Sequence, residues 1–236
     1  MVTGTIPCQR SADHSSNGIM NNSEAEEKAL VGLGTNSKDN EAIYNDWATS
    51  GTYEDDVNRW GYTLPSVAAA LIRRHTPSLC ERELFILDAG AGDGLTGLSL
   101  RKAGFANSDI TGIDLSRDML KKATNRQCYN RTQVSDLNLP LDSFPTDTFD
   151  IVQCIGTLTY VSPEAGTLAE FVRITKSGGL VCYSNRTDKL EQWKETEESL
   201  SSKWTLLEIV GPMPYLPHNP EFGERVQVVV YLFQVL

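Results

Sequence analysis

The sequence has little of what metal centres, disulfide frameworks and membrane spans require. Its 236 residues contain five cysteines and three histidines, and none of them forms a C-x-x-C pair or a set at ligand spacing. An odd and scattered set of cysteines predicts a reducing, cytoplasmic setting and no metal site. No apolar run approaches the length of a membrane-spanning helix. The first residues, MVTGTIPCQRSADHSS, lack the charged start and apolar core of a signal peptide, so we expect no membrane.

The sequence also has fewer basic than acidic residues. The formal net charge is -10, whereas affinity for nucleic acid comes mostly from Lys and Arg. We therefore expect no nucleic-acid partner. The length fits one domain, as a monomer or a homodimer, with an N-terminal extension.

Large apolar residues are scarce in residues 1–38, which are rich in Ser, Asn, Gly and Glu. Such a composition does not bury enough surface to offset chain entropy. We expect residues 1–38 to be a disordered tail, with at most a helix over residues 24–30, and residues 39–236 to form the domain.

The densest motif is LDAGAGDGLTGLSL, from Leu87 to Leu100. It follows the apolar run ELFIL and reads as strand, glycine loop and helix. Glycines at 90, 92 and 94 let the backbone turn tightly and bring its N–H groups toward a ligand, at the positive end of the following helix. The pattern predicts a seat for a nucleotide-like cofactor at the carboxyl edge of a parallel sheet.

Strand and helix patterns alternate after this motif. Strands are predicted to end at Asp114 and Asp136, and two more at FDIVQCI and LVCYS. A helix is expected from Ser162 to about Thr175, and a turn at residues 177–179. The strand KWTLLEIVG, a proline-rich loop over residues 211–224 suspected of function, and the strand ERVQVVVYLFQVL close the chain.

The segment from Asn40 to Tyr62 is dense in aromatic residues. Asn40 is expected to cap a helix, and a further helix follows Pro65. One interpretation is a pair of short helices that pack their rings on the core. The other is a lid over the ligand. Both remain open at this point.

The pattern D-x-G-x-G-x-G from Asp88 to Gly94, followed in order by GIDLS and VSDL, resembles class I S-adenosylmethionine-dependent methyltransferases. The YNDWA segment and the closing KWTLLEI and VVVYLF patterns are most similar to the small methyltransferase-like proteins typified by the one from the Williams–Beuren chromosomal region. The resemblance covers residues 40–236. It implies an α/β fold: a three-layer αβα sandwich whose seven-stranded, mostly parallel sheet has an antiparallel last strand, with residues 39–75 as an aromatic lid segment.

The resemblance also implies S-adenosylmethionine as the cofactor. Asp114 would accept both ribose hydroxyls, and Asp136 and Leu137 would take the adenine, although Asp136 also fits a residue that starts a turn. The implied cofactor-binding residues are Tyr44, Trp47, Tyr53, Asp88, Gly90, Ala91, Gly92, Asp114, Leu115, Asp136, Leu137 and Ile155.

The implied reaction is direct displacement of the sulfonium methyl by a small-molecule acceptor. CIGTLTY after the fourth strand differs from the Asn-Pro-Pro-Tyr motif that many amide- and base-nitrogen methyltransferases carry, and no catalytic residue is identified. Arg186 fits either a clamp for a carboxylate or phosphate or an exposed structural residue. Candidate acceptor-site residues are Tyr62, Thr157, Tyr160, Arg186, Tyr215 and His218.

Two other functions fit parts of the sequence. A non-catalytic S-adenosylmethionine-binding partner or regulator would keep the cofactor motifs without an acceptor site. A nicotinamide-dependent oxidoreductase is disfavoured, because its loop has a small residue where Leu95 stands.

Overall fold

The computed structural model describes residues 34–76 and 83–236. Most of the predicted tail and the helix predicted over residues 24–30 lie outside the described residues. Within the described part of the chain, no helix is both long enough and apolar enough to cross a membrane.

Helices and strands alternate along most of the domain. The helices are α1 (Ser37–Ser50), α2 (Tyr53–Arg59), α3 (Leu64–His75), α4 (Leu95–Lys102), α5 (Arg117–Asn125), α6 (Thr167–Ile174) and α7 (Leu190–Ser199). The strands are β1 (Phe85–Ala89), β2 (Asp109–Asp114), β3 (Arg131–Val134), β4 (Phe149–Cys154), β5 (Thr175–Arg186), β6 (Trp204–Leu216) and β7 (Gly223–Val235). Short 3-10 turns lie at Leu158–Tyr160, Pro163–Ala165 and Thr187–Lys189.

The seven strands form one sheet in the order β3-β2-β1-β4-β5-β7-β6. Strands β1 to β5 are mutually parallel. Strand β7 runs antiparallel to both of its neighbours. Because parallel strands carry their carboxyl ends to the same edge, the loops after β1, β2, β3 and β4 meet there.

Helices cover both faces of the sheet, and the alternation of side chains along β1 shows it. Ile86 packs in one apolar cluster with Leu71 of α3 and Leu100 of α4. The next residue, Leu87, packs in a second cluster with Phe171 of α6 and Trp193 of α7. The predicted three-layer fold with an antiparallel last strand is confirmed.

Helix α1 begins earlier than predicted. Its cap is Asn36, whose side-chain oxygen accepts hydrogen bonds from the backbone N–H groups of Lys38 and Asp39. The assignment of Asn40 as the cap is therefore wrong, and Asn40 lies inside the first turn. The helix predicted from Ser162 to Thr175 is also wrong in extent. A left-handed residue, Gly166 with φ 76°, separates a 3-10 turn from α6.

Strands β5 and β6 are longer than the sequence predicts. Strand β5 runs through the expected turn at residues 177–179, and a register shift against β4 absorbs Gly178 with φ 77°. Strand β6 continues through Pro212 and Pro214 to Leu216. Proline is tolerated there because β6 is the edge strand and its pairing with β7 shifts register on both sides. The proline-rich loop expected over residues 211–224 shrinks to residues 217–222.

Candidate active site

The loop between β1 and α4 is built by three left-handed glycines. Gly90, Gly92 and Gly94 have φ values of 78°, 53° and 99°, a region that costs an L-residue with a side chain about 1–2 kcal/mol. The N–H groups of Gly90 and Ala91 both donate to the Ile113 carbonyl, at 2.8 and 2.9 Å. The loop is thereby tied to the end of β2.

The first two glycines serve different purposes. A Cβ atom on Gly90 would lie 2.2 Å from Oγ1 of Thr157, so only glycine lets the loop after β4 come this close. A Cβ atom on Gly92 would meet no atom of residues 34–76 or 83–236 within 4 Å. Gly92 therefore faces open space, and this space is the cavity described below.

Asp114 ends β2 with its carboxylate beside the glycine loop. One oxygen accepts from the Gly92 N–H and the other from the Ser116 N–H, each at 2.8 Å. Burial raises the pKa of Asp114 to about 6, although these two hydrogen bonds lower it. The backbone thus fixes a carboxylate whose remaining lone pairs are available to hydroxyl groups of a ligand.

Asp88 lies under the loop and does not line the cavity. Its Oδ2 accepts from the hydroxyls of Thr96 and Tyr129, both at 2.6 Å, and its side chain is fully buried. Burial raises the pKa of this carboxyl, against the effect of those two donors. The hydroxyls of Thr96 in α4 and of Tyr129, two residues before β3, thus hold Asp88 under the loop, and its role as a cofactor ligand stays a prediction.

A cavity opens at this edge of the sheet, with about 850 Å³ of empty space including the solvent at its mouth. Its walls are the glycine loop, the ends of β2 and β3, the residues after β4, and helices α1 and α2. Fourteen of the predicted residues line it: Tyr44, Tyr53, Tyr62, Gly90, Ala91, Gly92, Asp114, Leu115, Asp136, Leu137, Ile155, Thr157, Tyr160 and Tyr215.

The remaining predicted residues lie elsewhere. The Trp47 indole is buried behind the wall and donates to Asp56 at 2.9 Å, so it braces α1 against α2. The Arg186 guanidinium forms two hydrogen bonds with Asp188, at 3.0 and 2.7 Å, and is not a free clamp. His218 donates its backbone N–H to the Trp60 carbonyl and its ring packs at Gly61, outside the cavity.

Asp136 starts a turn, and its role toward the adenine stays a prediction. Its Oδ1 accepts from the Asn138 N–H at 2.8 Å, which starts a turn. The same residue also lines the cavity, beside Leu137. Together with Leu115 and Ile155, Leu137 gives this end of the cavity apolar walls suited to a planar base.

The sequence interpretation missed several residues of the wall, of which Asn40, Asp93 and Asn138 are the most polar. Asn40 donates to the carbonyls of Gly34 and Tyr160. The helix period was a usable signal for Asn40, since it stands one turn before Tyr44 and shares its face. Also in the wall are Leu95, Thr96, Ser135, Gly156 and Val161.

Helices α1 and α2 cover the cavity and are tied to it by polar contacts. The Arg126 guanidinium bridges Glu54 of α2 and Asp93 of the glycine loop, at 2.8 and 2.5 Å. Tyr44 and Tyr53 also pack against the core cluster. The packing interpretation is therefore correct for these rings, and movement of the segment as a lid stays a prediction. Helix α3 has a different role, because its Leu71 and Ile72 are fully buried in the core.

Similarity to known proteins covers the glycine loop and the strands that follow it. A family model described as a methyltransferase domain matches residues 86–179. Human Methyltransferase-like protein 27 is 34% identical over 159 residues, covering 66% of this chain and 62% of the relative. A ubiquinone biosynthesis O-methyltransferase of Nitrosomonas europaea is 31% identical over 112 residues, covering 45% of this chain and 46% of the relative. The chain thus covers less than two thirds of the length of either relative.

Solved structures share the fold at low sequence identity. A TehB-like SAM-dependent methyltransferase from Corynebacterium glutamicum aligns with TM-score 0.55 and 22% identity over 83% of this chain and 99% of its own. Geranyl diphosphate methyltransferase in complex with SAM aligns with TM-score 0.55 and 14% identity over 72% of this chain and 85% of its own. At these identities the alignments describe the fold alone.

Proposed function

We propose that this chain, which belongs to the class I S-adenosylmethionine-dependent methyltransferases, transfers the methyl group of this cofactor to a small-molecule acceptor. One observation carries the proposal. The Asp114 carboxylate is held by the backbone N–H groups of Gly92 and Ser116 at the rim of a cavity that stays open above Gly92.

The residues of the cavity fit an adenosyl cofactor. The open space at Gly92 admits a ligand against the loop backbone, and Asp114 offers acceptors for two neighbouring ribose hydroxyls. Leu115, Leu137 and Ile155 would flank the base. When bound, S-adenosylmethionine supplies a methyl group already activated by its sulfonium. The task left to the protein is to position the acceptor and to exclude water.

The small size of the proposed acceptor is supported by the enclosure of the site. Helices α1 and α2 lie across the cavity, and Tyr160 and Tyr215 are almost fully buried in its wall. Among the described residues no Lys or Arg lines this cavity, and the net charge of -10 opposes a nucleic-acid substrate. Relatives named for ubiquinone biosynthesis and for hydroquinone methylation point the same way.

The second candidate is a cofactor-binding protein without catalysis. It would need Asp114 and the glycine loop but no space for an acceptor. The tyrosines that line the cavity beside Asp114 favour the enzyme, because they enclose room that a protein binding only the cofactor does not need. A cytoplasmic location and a monomeric or homodimeric state remain predictions.

The test has two stages. Saturating S-adenosylhomocysteine should raise the melting temperature, because a ligand of the native state stabilises it by mass action, whereas NAD should not. Methyl-donor turnover with a pool of metabolites then separates enzyme from binding protein. A melting curve shifted by NAD and unmoved by S-adenosylhomocysteine would contradict the cofactor assignment. Cofactor binding with no turnover on any fraction of the pool would favour the regulator.

A further inference from the structure

One arginine connects two walls of the cavity. Arg126 directly follows α5, and its Nε and Nη2 atoms donate to the backbone carbonyl and the carboxylate of Asp93 in the glycine loop, at 2.6 and 2.5 Å. Its Nη1 and Nη2 atoms contact the two carboxylate oxygens of Glu54 in α2, at 3.2 and 2.8 Å. Asp93 lines the cavity, and so does Tyr53, the neighbour of Glu54. The guanidinium therefore joins the glycine loop to the cover at one side of the cavity.

Glycine at position 94 makes room for this arginine. A Cβ atom on Gly94 would lie 3.0 Å from Cδ of Arg126, which is closer than carbon atoms normally approach. The stem of Arg126 therefore lies against the start of α4, and only 18% of its side chain is exposed. Burial of the stem holds the guanidinium in one place, where it meets both carboxylates.

Helix α1 of the cover is held to the body along most of its length. Near its start, the Asn138 amide donates to the Ser37 hydroxyl at 3.0 Å. Further along, the Ser116 hydroxyl donates to the Asn45 side chain at 2.6 Å. The Trp47 side chain is buried near its end. These contacts make α1 the fixed part of the cover.

Helix α2 is held less firmly. Only two of its seven residues, Asp56 and Val57, are buried. The Asp56 carboxylate accepts from the Trp47 indole, so this contact ties α2 to the other half of the cover. The pair of Glu54 with Arg126 is the contact that ties α2 to the glycine loop. Elements with few buried residues open at the lowest free-energy cost, so α2 is the part of the cover that we expect to open.

The connection between the two helices allows such a movement. It consists of Gly51 and Thr52, between the end of α1 and the start of α2. Gly51 has a φ of 81°, and a Cβ atom there would meet no atom of the described ranges within 4 Å. A short, exposed connection with an unhindered glycine can absorb a rotation of α2 while α1 stays in place.

We infer that the pair of Arg126 and Glu54, which we call the latch, sets the rate at which the cofactor enters and leaves. The cofactor passes between α2 and the glycine loop when the pair separates. Arg126 stays on Asp93 during this step, because the Asp93 carboxylate is almost fully buried and would be left without a partner. The inference rests on the proposed function, since the latch acts on a ligand in the cofactor seat.

A latch has a kinetic signature that a ligand contact does not have. It closes over the empty seat and over the filled seat alike. Its loss should therefore raise the association and dissociation rates of S-adenosylhomocysteine by the same factor and leave the Kd unchanged. A residue that contacts the ligand changes mainly the dissociation rate. For an ion pair with one exposed partner we expect both rates to rise about two- to five-fold.

Stopped-flow mixing of the full chain with S-adenosylhomocysteine measures both rates. Intrinsic tryptophan fluorescence is the readout, because Trp47 lies in the cover with its ring centroid 4.7 Å from that of Tyr53. Glu54→Gln should raise both rates. Asp55→Asn is the matched control, because it makes the same change of charge at the next residue, which is exposed.

Salt gives a second readout on the unmodified protein. Raising NaCl from about 0.05 to about 0.5 M should bring both of its rates toward those of Glu54→Gln, because salt screens a partly exposed ion pair. The same change should have little effect on Glu54→Gln, since S-adenosylhomocysteine carries no net charge at neutral pH.

The outcomes separate this inference from the proposed function. Equal rates in Glu54→Gln and Asp55→Asn overturn the inference. A change in the dissociation rate alone also overturns it, because Glu54 would then act as a ligand contact. Either result leaves the cofactor assignment intact, since S-adenosylhomocysteine still binds. Failure of S-adenosylhomocysteine to bind the unmodified protein defeats the proposed function and the latch together.

Discussion

The hydroxyl of Ser116 donates a 2.6 Å hydrogen bond to the side-chain oxygen of Asn45. Ser116 also caps α5, and its backbone N–H holds the Asp114 carboxylate. One residue therefore connects the covering helix α1 to the acid at the cofactor seat. A ligand that contacts Asp114 is expected to steady this connection and, with it, the cover.

We expect the cover to respond to cofactor. Hydrogen exchange of the backbone over α1 and α2 should slow when S-adenosylhomocysteine binds, because Tyr44 and Tyr53 line the same cavity as Asp114. Exchange in α7, which packs on the opposite face through Trp193, should not change. Equal protection of α1 and α2 in both states would leave only their packing role.

The connection itself can be weakened without touching the cavity. Asn45→Ala removes one hydrogen bond, which typically contributes about 0.5–1.5 kcal/mol. We expect the Kd for S-adenosylhomocysteine to rise roughly two- to ten-fold. Asn58→Ala is the control, since Asn58 is an exposed asparagine of α2. An unchanged Kd in Asn45→Ala would show that the cover does not contribute to affinity.

Substitutions can be compared at three left-handed glycines, of which Gly90 and Gly92 lie in the glycine loop and Gly166 lies before α6. Gly90→Ala should lower the melting temperature most, because its Cβ would collide with Thr157 at 2.2 Å. Gly92→Ala and Gly166→Ala meet no atom within 4 Å and should each lose about 1–2 kcal/mol of stability for their positive φ. Of the last two variants, only Gly92→Ala should also weaken the binding of S-adenosylhomocysteine, because Gly92 lines the cavity and Gly166 does not.

One result would contradict the expected role of Gly92 in cofactor binding. Equal cofactor affinity in folded Gly92→Ala and Gly166→Ala proteins, measured by calorimetry, would mean that the ligand does not lie against the loop.

The pKa of Asp114 predicts how cofactor affinity changes with pH. Because its pKa is raised to about 6, the native state keeps a proton between about pH 4 and 6 that the unfolded chain has lost. This contribution to the free energy of unfolding is present below that window and is lost as pH rises through it. Ribose hydroxyls donate to the ionised form, so affinity should instead rise with pH and level off above about 6.

Calorimetry with S-adenosylhomocysteine at about pH 5 and pH 7.5 checks this sign. Below the pKa, affinity should fall by up to about ten-fold per pH unit. Asp114→Asn should bind more weakly at both pH values and show little dependence on pH. That control separates Asp114 from Asp88, whose pKa is also raised by burial. Equal affinities of the unmodified protein at the two pH values would contradict the role of Asp114.

The parts of the fold and of the site that depend on a local sequence pattern were predicted. Glycines at 90, 92 and 94 placed the loop, and the spacing to Asp114 placed the second strand end beside it. The sequence did not predict the partners of Asp88, because Tyr129 is distant in the chain and reaches it only through the packing of β3 beside β2. Nor did it predict that β6 continues through two prolines, which requires knowing that β6 is the edge strand.

Arg186 illustrates the same limit at the site. Its position at the carboxyl end of β5 indicated a clamp, and position alone did not reveal that Asp188, two residues later, would pair with the guanidinium. A sequence shows which polar side chains stand at the end of a strand. The hydrogen-bond partner of each one depends on the path of the following loop.

The last prediction concerns the affinity contributed by Asp114. Asp114→Ala removes the acceptor for the ribose hydroxyls, and hydrogen bonds to an ionised acceptor contribute roughly 1.5–3 kcal/mol. Calorimetry on the folded variant should therefore show S-adenosylhomocysteine binding weakened by about ten-fold or more. Asp114→Asn should lose nearly as much, because an amide oxygen is a weaker acceptor than a carboxylate.

The contacts of Asp114 with the loop decide how that result is interpreted. The same carboxylate accepts from Gly92 and Ser116, so Asp114→Ala also frees two N–H groups of the loop. Asp114→Asn keeps an acceptor for only one of these N–H groups. Both variants therefore disturb the loop, and the loss of affinity is assigned to the ligand contact only in a variant whose melting temperature without ligand is unchanged. Asp118→Ala is the matched control, because it removes a nearby carboxylate that pairs with Lys121 on the surface. Unchanged affinity in a folded Asp114→Ala protein would mean that the ribose lies elsewhere, and the assignment of the whole cofactor seat would fail with it.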